Sequence, residues 1–365
     1  MPFQNLTGLT IEGCQDRQHI LREYLRSLKL DAALILDRRH IHYLTGYWVR
    51  SVFAPALLVE CEGPTTLAAP TPPVRPAAAD DVRTVESTVF CTLVDDQQGA
   101  SLEVLKDRVG TGMKVGSDAA IRPGKLAMDS TVDLTPTLFA MRRCKDEDEL
   151  AFLKEIIAAT EETYRYAKET LRPGVSEVEL WAGMQRVAAE CLGEFQGEFG
   201  NDFQIGAIGS PPRRQAAEAG QTAILDLSLS VRGYCSDMCR TFVVGGEPSE
   251  AQTTAHARIL SVFPVLERKA RPGASCRELD ATAREMLKGE EGWEFFHHLG
   301  HGVGMNGHET PRLNPLSNDR LQVGDIFTLE PGLYGPGLNA GIRIEQMYHV
   351  GEKGVERLTS FPEGL

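Results

Sequence analysis

The sequence predicts an α/β protein of two domains, the second of which consists of two related halves. Three observations support this prediction. The 365 residues and 40.1 kDa exceed what one hydrophobic core usually encloses. The first part of the chain alternates between helix-like and strand-like patterns. In the second part, a nine-residue pattern occurs twice, beginning at Arg172 and again at Arg271.

Short apolar segments define the elements of the first part. Residues 16–28 carry apolar side chains at helical spacing, and Ala32–Leu36 and Ala56–Glu60 are apolar runs that favour strands. Five prolines then crowd residues 64–76. Because proline cannot donate a hydrogen bond inside a sheet, we predict a surface loop there. Strand-like sequence resumes at residues 84–94.

A domain boundary is predicted near residue 142, which gives domains of 1–142 and 143–365. A strong helix start follows, because residues 146–149 are all acidic. Acidic side chains are stabilised by the positive end of the helix dipole. Apolar residues then recur at helical spacing through Leu171, which indicates a helix facing the core.

The internal repeat indicates a duplicated scaffold in the second domain. The sequence RPGVSEVEL beginning at Arg172 resembles RPGASCREL beginning at Arg271. Each copy ends one helix with Pro-Gly and begins the next with a capping box, formed by Ser176 or Ser275 with the glutamate three positions later.

Each half also supplies two carboxylates. An apolar strand follows each copy of the repeat and carries one acid, Asp226 in the first half and Glu330 in the second. A second acid follows each strand, Asp237 and Glu345. An acid in an apolar strand is costly to bury unless it is paired or binds a cation. Four acids in repeated positions favour a metal site, shared by two halves related by a pseudo-twofold axis.

A segment rich in histidine and glycine adds neutral ligands to this site. Residues 297–308 read HHLGHGVGMNGH, with four histidines and four glycines. Glycines permit close approach of the backbone, and imidazoles bind metals or transfer protons. Carboxylates combined with imidazole suit Mn²⁺, Co²⁺, Fe²⁺ or Zn²⁺ and do not distinguish among them.

Composition excludes several classes of partner. The 38 Lys and Arg against 51 Asp and Glu give a net charge of −13, which disfavours binding to nucleic acid. The longest apolar runs are far shorter than the roughly 18–20 residues of a membrane span. The first residues lack a signal-peptide pattern, and the eight cysteines contain no CxxC motif. We therefore expect a cytoplasmic protein with reduced cysteines and no membrane or nucleic-acid partner.

Taken together, these motifs resemble the pita-bread metalloaminopeptidases, the family of prolidase, aminopeptidase P and creatinase. The matching segments are residues 226–242, 297–309, 329–334 and 341–345, and HYLTGY at 42–47 is similar to the family's leading domain. The resemblance implies a creatinase-like N-terminal domain of mixed α/β structure. It also implies a C-terminal pita-bread domain, in which helices from both repeats back a curved antiparallel sheet.

The resemblance also implies the metal ligands. The family's five ligands fall on Asp226, Asp237, His301, Glu330 and Glu345. They would hold two divalent ions, with Mn²⁺ expected first and Co²⁺, Zn²⁺ or Fe²⁺ as alternatives. Paired divalent ions of this kind polarise the carbonyl group that is to be hydrolysed.

Further residues acquire catalytic roles by the same resemblance. His297 and His308 match the family's two histidines that are not ligands, one lining the substrate pocket and one stabilising the oxyanion. Glu330 would carry a proton to the leaving amine. His298 stands where the family usually has a small residue, and we assign it no role. A histidine that many members place ahead of the first metal-binding aspartate is replaced here by Gly209.

Three residues are predicted to contact substrate: Arg312, Arg343 and Tyr334. Arg312 matches an arginine that in some prolidases pairs with the carboxylate of a dipeptide, and a guanidinium suits that geometry. The alternative for Arg312 is a surface arginine with no partner in the site.

The resemblance implies a dinuclear hydrolase that removes the N-terminal residue from Xaa-Pro dipeptides or longer peptides. Two alternatives stay open. The fold could serve a metal-dependent hydrolase or lyase of a small non-peptide metabolite, which the missing histidine permits, or a binding module without catalysis, which the intact ligand set disfavours. Relatives usually dimerise, so a homodimer is expected.

Overall fold

The computed structural model describes residues 6–49, 52–85, 94–119, 126, 130–194, 196–197, 200, 202–289 and 292–365. The chain divides into two compact units. One contains Gly8–Arg142, and the other contains Arg143–Leu365 together with the residues that precede Gly8. Most of the strand-like segment predicted at 84–94 lies outside the described residues.

The first unit contains a six-stranded mixed sheet with helices. Its elements are α1 (Ile11–Leu28), β1 (Ala32–Ile35), α2 (Arg38–Thr45), β2 (Ala56–Glu60), β3 (Thr65–Ala69), β4 (Asp81–Thr84), α3 (Gln97–Glu103), β5 (Lys114–Ser117), β6 (Ser130–Asp133) and α4 (Thr135–Arg143). The strand order is β4-β3-β2-β1-β5-β6. The central strand β1 runs antiparallel to β2 and parallel to β5, and all four of its residues are buried.

One part of the proline-rich segment differs from the prediction. The prediction of a loop across residues 64–76 was wrong for β3, which pairs with β2 and β4 inside the sheet. Pro64 and Pro70 flank this strand and do not interrupt it, so no proline has to donate within the ladder. Every residue of β3 is buried.

The second unit carries the predicted site. Its elements are α5 (Glu147–Thr170), α6 (Glu177–Leu192), β7 (Asp202–Ile205), β8 (Thr222–Leu227), β9 (Ser230–Val231), β10 (Tyr234–Cys235), β11 (Met238–Val243), α7 (Glu250–Lys269), α8 (Cys276–Leu287), β12 (Gly300–Gly302), β13 (Glu309–Leu313), β14 (Ile326–Leu329), β15 (Gly332–Leu333), β16 (Ile342–Arg343), β17 (Gln346–Val350) and β18 (Val355–Arg357). Two antiparallel sheets have the strand orders β11-β8-β7 and β13-β12-β14-β17-β18, and β9–β10 and β15–β16 are small hairpins.

Each half of this unit is a helix pair packed on a sheet. We call α5 to β11 the first half and α7 to β18 the second half. The apolar core of the first half joins Tyr164 of α5 and Leu180 of α6 to Phe203 of β7. The core of the second half joins Ile259 of α7 to Phe327 of β14. The repeated order of elements matches the pseudo-twofold organisation that the sequence predicts.

The duplicated nine-residue pattern forms the same turn in both halves. The amide of Gly174 donates to the carbonyl oxygen of Ala217 at 2.9 Å, and the amide of Gly273 donates to that of Leu321 at 2.8 Å. Both glycines have positive φ, +91° and +85°, a conformation that side-chain-bearing residues rarely adopt. The turn that separates the two helices of each pair is therefore the same in both halves.

The two helix caps differ from each other. Ser176 accepts from the amide of Glu179 and donates its own amide to the Glu179 carboxylate at 2.9 Å, which completes the predicted capping box. Ser275 accepts from the amide of Glu278 at 3.4 Å, without the reciprocal bond. The second predicted box is therefore only half formed.

Two further predictions concern membrane-spanning helices and the state of the cysteines. Within the described part of the chain, no helix combines the length and the apolar character needed to cross a membrane. Every cysteine whose position is described is free, as expected for reduced thiols.

Candidate metal centre and active site

A cavity of about 460 Å³ lies among the strands of the second unit. All five predicted metal ligands line it: Asp226, Asp237, His301, Glu330 and Glu345. The predicted residues His297, His308 and Arg343 line it as well. The remaining lining residues are Gly200, Asp202, Ile208, Gly209, Ser228, Phe296, His298 and Gly307.

Strands of the first half position two of the acids. Asp226 lies on β8 and pairs in register with Cys239 of β11 and with Asp202 of β7. Asp237 directly precedes β11 and follows the β9–β10 hairpin, which turns at Gly233 with φ +90°. This hairpin lies between the two aspartates and returns both side chains to one cavity.

Strands of the second half position the other three ligands. His301 is the central residue of β12, Glu330 follows β14, and Glu345 lies between β16 and β17. The amide of Glu330 donates to the carbonyl oxygen of Leu299 at 2.8 Å. The amide of Glu345 donates to that of Cys239 at 3.0 Å, and this bond joins the two halves beside the cavity.

The glycines that flank His301 are required by close backbone contacts. A Cβ atom on Gly300 would lie 2.0 Å from the carbonyl oxygen of Thr328, and one on Gly302 would lie 2.2 Å from that of Thr310. No side chain fits at either distance. The Gly-His-Gly sequence therefore lets β12 pack tightly between β13 and β14 and fixes the position of the imidazole.

The His301 ring is oriented to offer Nε2 to the cavity. Its Nδ1 lies 3.1 Å from the carbonyl oxygen of Gly302, so Nδ1 carries the proton and Nε2 keeps a free lone pair. Nε2 lies 3.5 Å from Oε1 of Glu330 and 3.8 Å from Oδ2 of Asp237. Asp237, His301 and Glu345 each offer one ligand atom within 4.8 Å of the others. This spacing suits binding to a common cation.

The buried carboxylates are not neutralised by the protein alone. Burial raises the pKa of Asp226 to about 7 and raises the pKa values of Asp237 and Glu345 well above their usual range, and mutual repulsion adds to the effect. Oε2 of Glu345 is buried and has no hydrogen-bond partner. Divalent cations would stabilise the charged forms of these acids, so the donor set fits a metal centre.

Glu330 has a different environment from the other three acids. Burial by itself raises its pKa, but contact with His298 and the nearby imidazoles outweigh that effect and bring it to about 2. Oε1 of Glu330 lies 2.8 Å from Nε2 of His298. Glu330 is therefore the acid of the group that ionises most readily.

A hydrogen-bonded chain holds His297 against the cavity. Nδ1 of His297 lies 2.8 Å from the carbonyl oxygen of His298, and Nε2 lies 2.8 Å from the hydroxyl of Tyr334. That hydroxyl also accepts from Nη1 of Arg343 at 3.4 Å. Burial lowers the pKa of His297 to about 4, so its ring is neutral, and Nε2 accepts a hydrogen bond from the hydroxyl of Tyr334. Tyr334 thus orients His297 and is not itself among the lining residues.

Arg343 forms ion pairs with two aspartates of the first half. Its Nη2 lies 2.8 Å from Oδ2 of Asp226 and 3.1 Å from Oδ2 of Asp202. The guanidinium opposes the rise in the pKa of Asp226 that burial causes. Arg343 thereby offsets part of the negative charge at the site.

Asp202 is a lining residue that sequence reasoning missed. No strand was expected at β7. The pairing that sets Asp202 opposite Asp226 therefore could not be predicted. A Cβ atom on Gly209 would lie 2.8 Å from Oδ2 of Asp202. The carboxylate of Asp202 therefore lies directly against Gly209, and a side chain at this position would require Asp202 to move.

The remaining predicted residues lie at the edge of the site. The ring of His308 is exposed and stacks on His301, with centroids 3.7 Å apart. Arg312 lies on β13 opposite His301, but its side chain is exposed and reaches the carbonyl oxygen of His308 at 3.4 Å. The structure therefore does not bring Arg312 into the cavity.

Comparisons with known proteins agree with this architecture. The model of metallopeptidase family M24 matches residues 151–352, and that of the creatinase/prolidase N-terminal domain matches residues 17–144. A putative dipeptidase of Bacillus subtilis, YkvY, is 32% identical over 64% of this chain and 65% of its own length. The Xaa-Pro dipeptidase of Pyrococcus furiosus is 32% identical over 60% of this chain and 64% of its own. The chain thus spans slightly less than two thirds of these relatives.

Solved structures share the fold over almost the entire chain. The prolidase from Pyrococcus horikoshii has a TM-score of 0.76 at 23% identity, covering 95% of this chain and 99% of its own. The X-Pro aminopeptidase from Thermotoga maritima has a TM-score of 0.76 at 24% identity, covering 95% and 98%. The predicted fold, a creatinase-like α/β domain followed by a pita-bread domain, is confirmed.

Proposed function

Because the chain belongs to metallopeptidase family M24, we propose that it is a dinuclear metal-dependent exopeptidase that removes the N-terminal residue from Xaa-Pro dipeptides or short peptides. The observation that carries this proposal is the convergence of five donor side chains, from both halves of the second unit, on one cavity. The Xaa-Pro dipeptidases among the relatives support the substrate class.

Five side chains would hold the two ions. These are Asp226, Asp237, His301, Glu330 and Glu345, and Asp237, His301 and Glu345 already bring one ligand atom each within 4.8 Å of the others. Bound ions supply Lewis-acid polarisation of the scissile carbonyl and activation of water at neutral pH. We propose Mn²⁺ as the native ion, because carboxylates outnumber imidazoles in the set.

The protein's own groups would move the proton and orient the peptide. Glu330, to which the family resemblance gives this role, would accept a proton and deliver it to the leaving amine. His297, fixed by Tyr334, would contact the substrate as a neutral imidazole. His308 would donate to the oxyanion that develops on the carbonyl. Arg343 would hold Asp226 in place through the ion pair between them.

The cavity suits a small peptide. Ligand pockets of roughly 300–1,000 Å³ bury most of a small ligand, and this cavity falls in the lower part of that range. Arg312 stays a proposed contact to the carboxylate of a dipeptide; its side chain would have to turn from the His308 carbonyl to reach the cavity. We also propose, from the family resemblance, a cytoplasmic homodimer.

A second candidate function is hydrolysis of a small cationic metabolite. The observation that favours it is Asp202, whose half-exposed carboxylate lies over Gly209 and lines the cavity. A carboxylate in this place attracts a positively charged group, whereas a histidine would donate to a peptide carbonyl.

The direct test compares an Xaa-Pro dipeptide with an Xaa-Pro-Xaa tripeptide on Mn²⁺-loaded protein, following release of the free amino acid. We expect cleavage that EDTA abolishes and that added Mn²⁺ restores. Cleavage of the dipeptide alone would indicate a dipeptidase that binds the C-terminal carboxylate of its substrate. Preference for the tripeptide would indicate an aminopeptidase. Two bound ions without cleavage of either peptide would contradict the proposal and favour the metabolite hydrolase.

A further inference from the structure

Three histidines form a second group of ligand atoms beside the proposed dinuclear centre. We propose that His298, His301 and His308 make a separate, imidazole-rich site for one Zn²⁺ or Cu²⁺ ion. Each histidine offers one ring nitrogen, and the three nitrogens lie within 4.8 Å of one another. This proposal does not depend on the peptidase activity, because it concerns ligand chemistry alone.

The three rings are arranged around a common space. The rings of His298 and His308 meet edge to face with centroids 5.6 Å apart, and His298 meets His301 in the same way at 5.5 Å. His301 is fixed by its contact to the carbonyl oxygen of Gly302, which leaves Nε2 as its free donor. The exposed His308 ring stacks on His301 with centroids 3.7 Å apart, so it would have to rotate out of this stack to bring its nitrogen to the same point.

His298 has a buried nitrogen that the protein leaves unsatisfied. Its Nε2 approaches Oε1 of Glu330 to 2.8 Å, yet neither atom has a hydrogen bond of acceptable geometry. A buried donor or acceptor without a well-aligned partner costs free energy. A cation held by the imidazole nitrogens would satisfy Nε2 of His298, and it would lie next to the carboxylate of Glu330.

The chemistry of this group differs from that of its neighbour. Three imidazole nitrogens suit Zn²⁺ and Cu²⁺, whereas Asp237, Glu345 and one imidazole suit Mn²⁺. His301 belongs to both groups. Its Nδ1 faces the carbonyl oxygen of Gly302, which leaves Nε2 as its one free lone pair, and one lone pair binds one ion. Occupation of the trihistidine site therefore withdraws His301 from the dinuclear centre, so that Zn²⁺ at this site would inhibit the Mn²⁺-loaded protein.

The first experiment counts nitrogen ligands. One equivalent of Cu²⁺ is added to the metal-free full-length protein, and the nitrogen superhyperfine splitting is read by electron paramagnetic resonance. The trihistidine site predicts three nitrogens, whereas the carboxylate group offers only His301. We expect His298→Gln to reduce the count to two or fewer and to weaken binding at least tenfold, and His19→Gln, which changes an exposed histidine on α1, to alter neither.

Two results of this experiment would overturn the site. A single nitrogen in the unmodified protein would place the ion at the carboxylates, and three nitrogens retained in His298→Gln would place the ligands elsewhere. His298→Ala provides a second variant with the same expectation if the glutamine variant does not fold.

The second experiment tests the shared ligand. Mn²⁺-loaded protein is titrated with Zn²⁺, and released Mn²⁺ is measured together with turnover. We expect Zn²⁺ to release Mn²⁺ and to inhibit the unmodified protein, with an inhibition constant at least tenfold higher in His298→Gln. Equal constants in both proteins would show that Zn²⁺ acts only by replacing Mn²⁺ at the carboxylates. If the peptidase proposal fails, the nitrogen count and the Mn²⁺ release still decide this one.

Discussion

The two halves of the second unit share a scaffold but differ in the charges that they bring to the cavity. The charged side chains that the first half contributes are all carboxylates, those of Asp202, Asp226 and Asp237. The second half contributes every histidine of the site, together with Glu330, Glu345 and Arg343. Duplication therefore preserved the turns and the helix pairs, while the side chains at the cavity diverged.

This difference has electrostatic consequences. In the first half, burial raises the pKa values of Asp226 and Asp237, so both need cations nearby to stay charged. In the second half, the imidazoles keep the pKa of Glu330 at about 2. Glu330 is therefore held in its charged form by the imidazoles of its own half, whereas Asp226 and Asp237 have no imidazole among their stabilising contacts in the first half.

The largest effect is expected from an acid of the first half. Asp237→Asn keeps the size of the side chain and removes a bridging charge, so we expect loss of bound Mn²⁺ and a fall in turnover of about a thousandfold or more. Bound metal is measured by elemental analysis and turnover by amino-acid release. Asp16→Asn, an exposed change on α1, is the matched control. Unchanged metal content in Asp237→Asn would show that Asp237 is not a ligand.

The next largest effect tests the histidine strand of the second half. Gly300→Ala would place a Cβ atom 2.0 Å from the carbonyl oxygen of Thr328, so β12 must move away from β14. We expect a loss of stability of about 3 kcal/mol or more, measured by urea unfolding. Gly307→Ala, in the same segment, meets no atom within 4 Å and should change stability by less than about 0.5 kcal/mol. Equal effects would show that β12 is not tightly packed.

A third prediction concerns the contact between the halves. The buried Arg240 of the first half donates to the carbonyl oxygen of Glu345 at 2.7 Å and to that of Phe361, near the C-terminus, at 2.7 Å. Arg240→Met leaves these carbonyls without a donor, so we expect a loss of about 2–4 kcal/mol in stability.

The same substitution should also weaken the metal site, because Arg240 donates to the backbone of Glu345 itself. We expect the Kd for Mn²⁺ to rise several-fold, measured by titration calorimetry at a temperature where the variant is folded. Arg357→Met, which removes surface ion pairs to Glu267 and Glu363, is the control. A change in stability without a change in metal affinity would limit Arg240 to a structural role.

The sequence was sufficient to predict the scaffold and the five converging donors. Pro-Gly turns, capping serines and apolar strands are local signals, and the repeat doubles them. The acids at Asp226 and Glu330 were conspicuous because each lies in an apolar strand. Their convergence could be inferred from the repeat, since related halves present equivalent strands to one centre.

The rest depends on contacts that a sequence does not record. The register of β7 against β8 sets Asp202 opposite Asp226. The hydroxyl of Tyr334 donates a hydrogen bond to His297. Arg312 was expected at the substrate because of its resemblance to a family motif, but its strand turns the side chain outward. Such features arise from three-dimensional packing and not from local patterns.

The smallest effect on stability is expected from the serines that cap α6 and α8. Ser176 has both bonds of its capping box and Ser275 has one. Each serine cap typically contributes about 0.5–2 kcal/mol, and loss of the hydroxyl at Ser176 also disturbs the return bond from Glu179. We therefore expect Ser176→Ala to lower the urea midpoint more than Ser275→Ala. Because each serine also forms an equivalent strand bridge, Ser176 with Ala216 and Ser275 with Arg320, equal changes would show that the return bond from Glu179 adds nothing to the first cap.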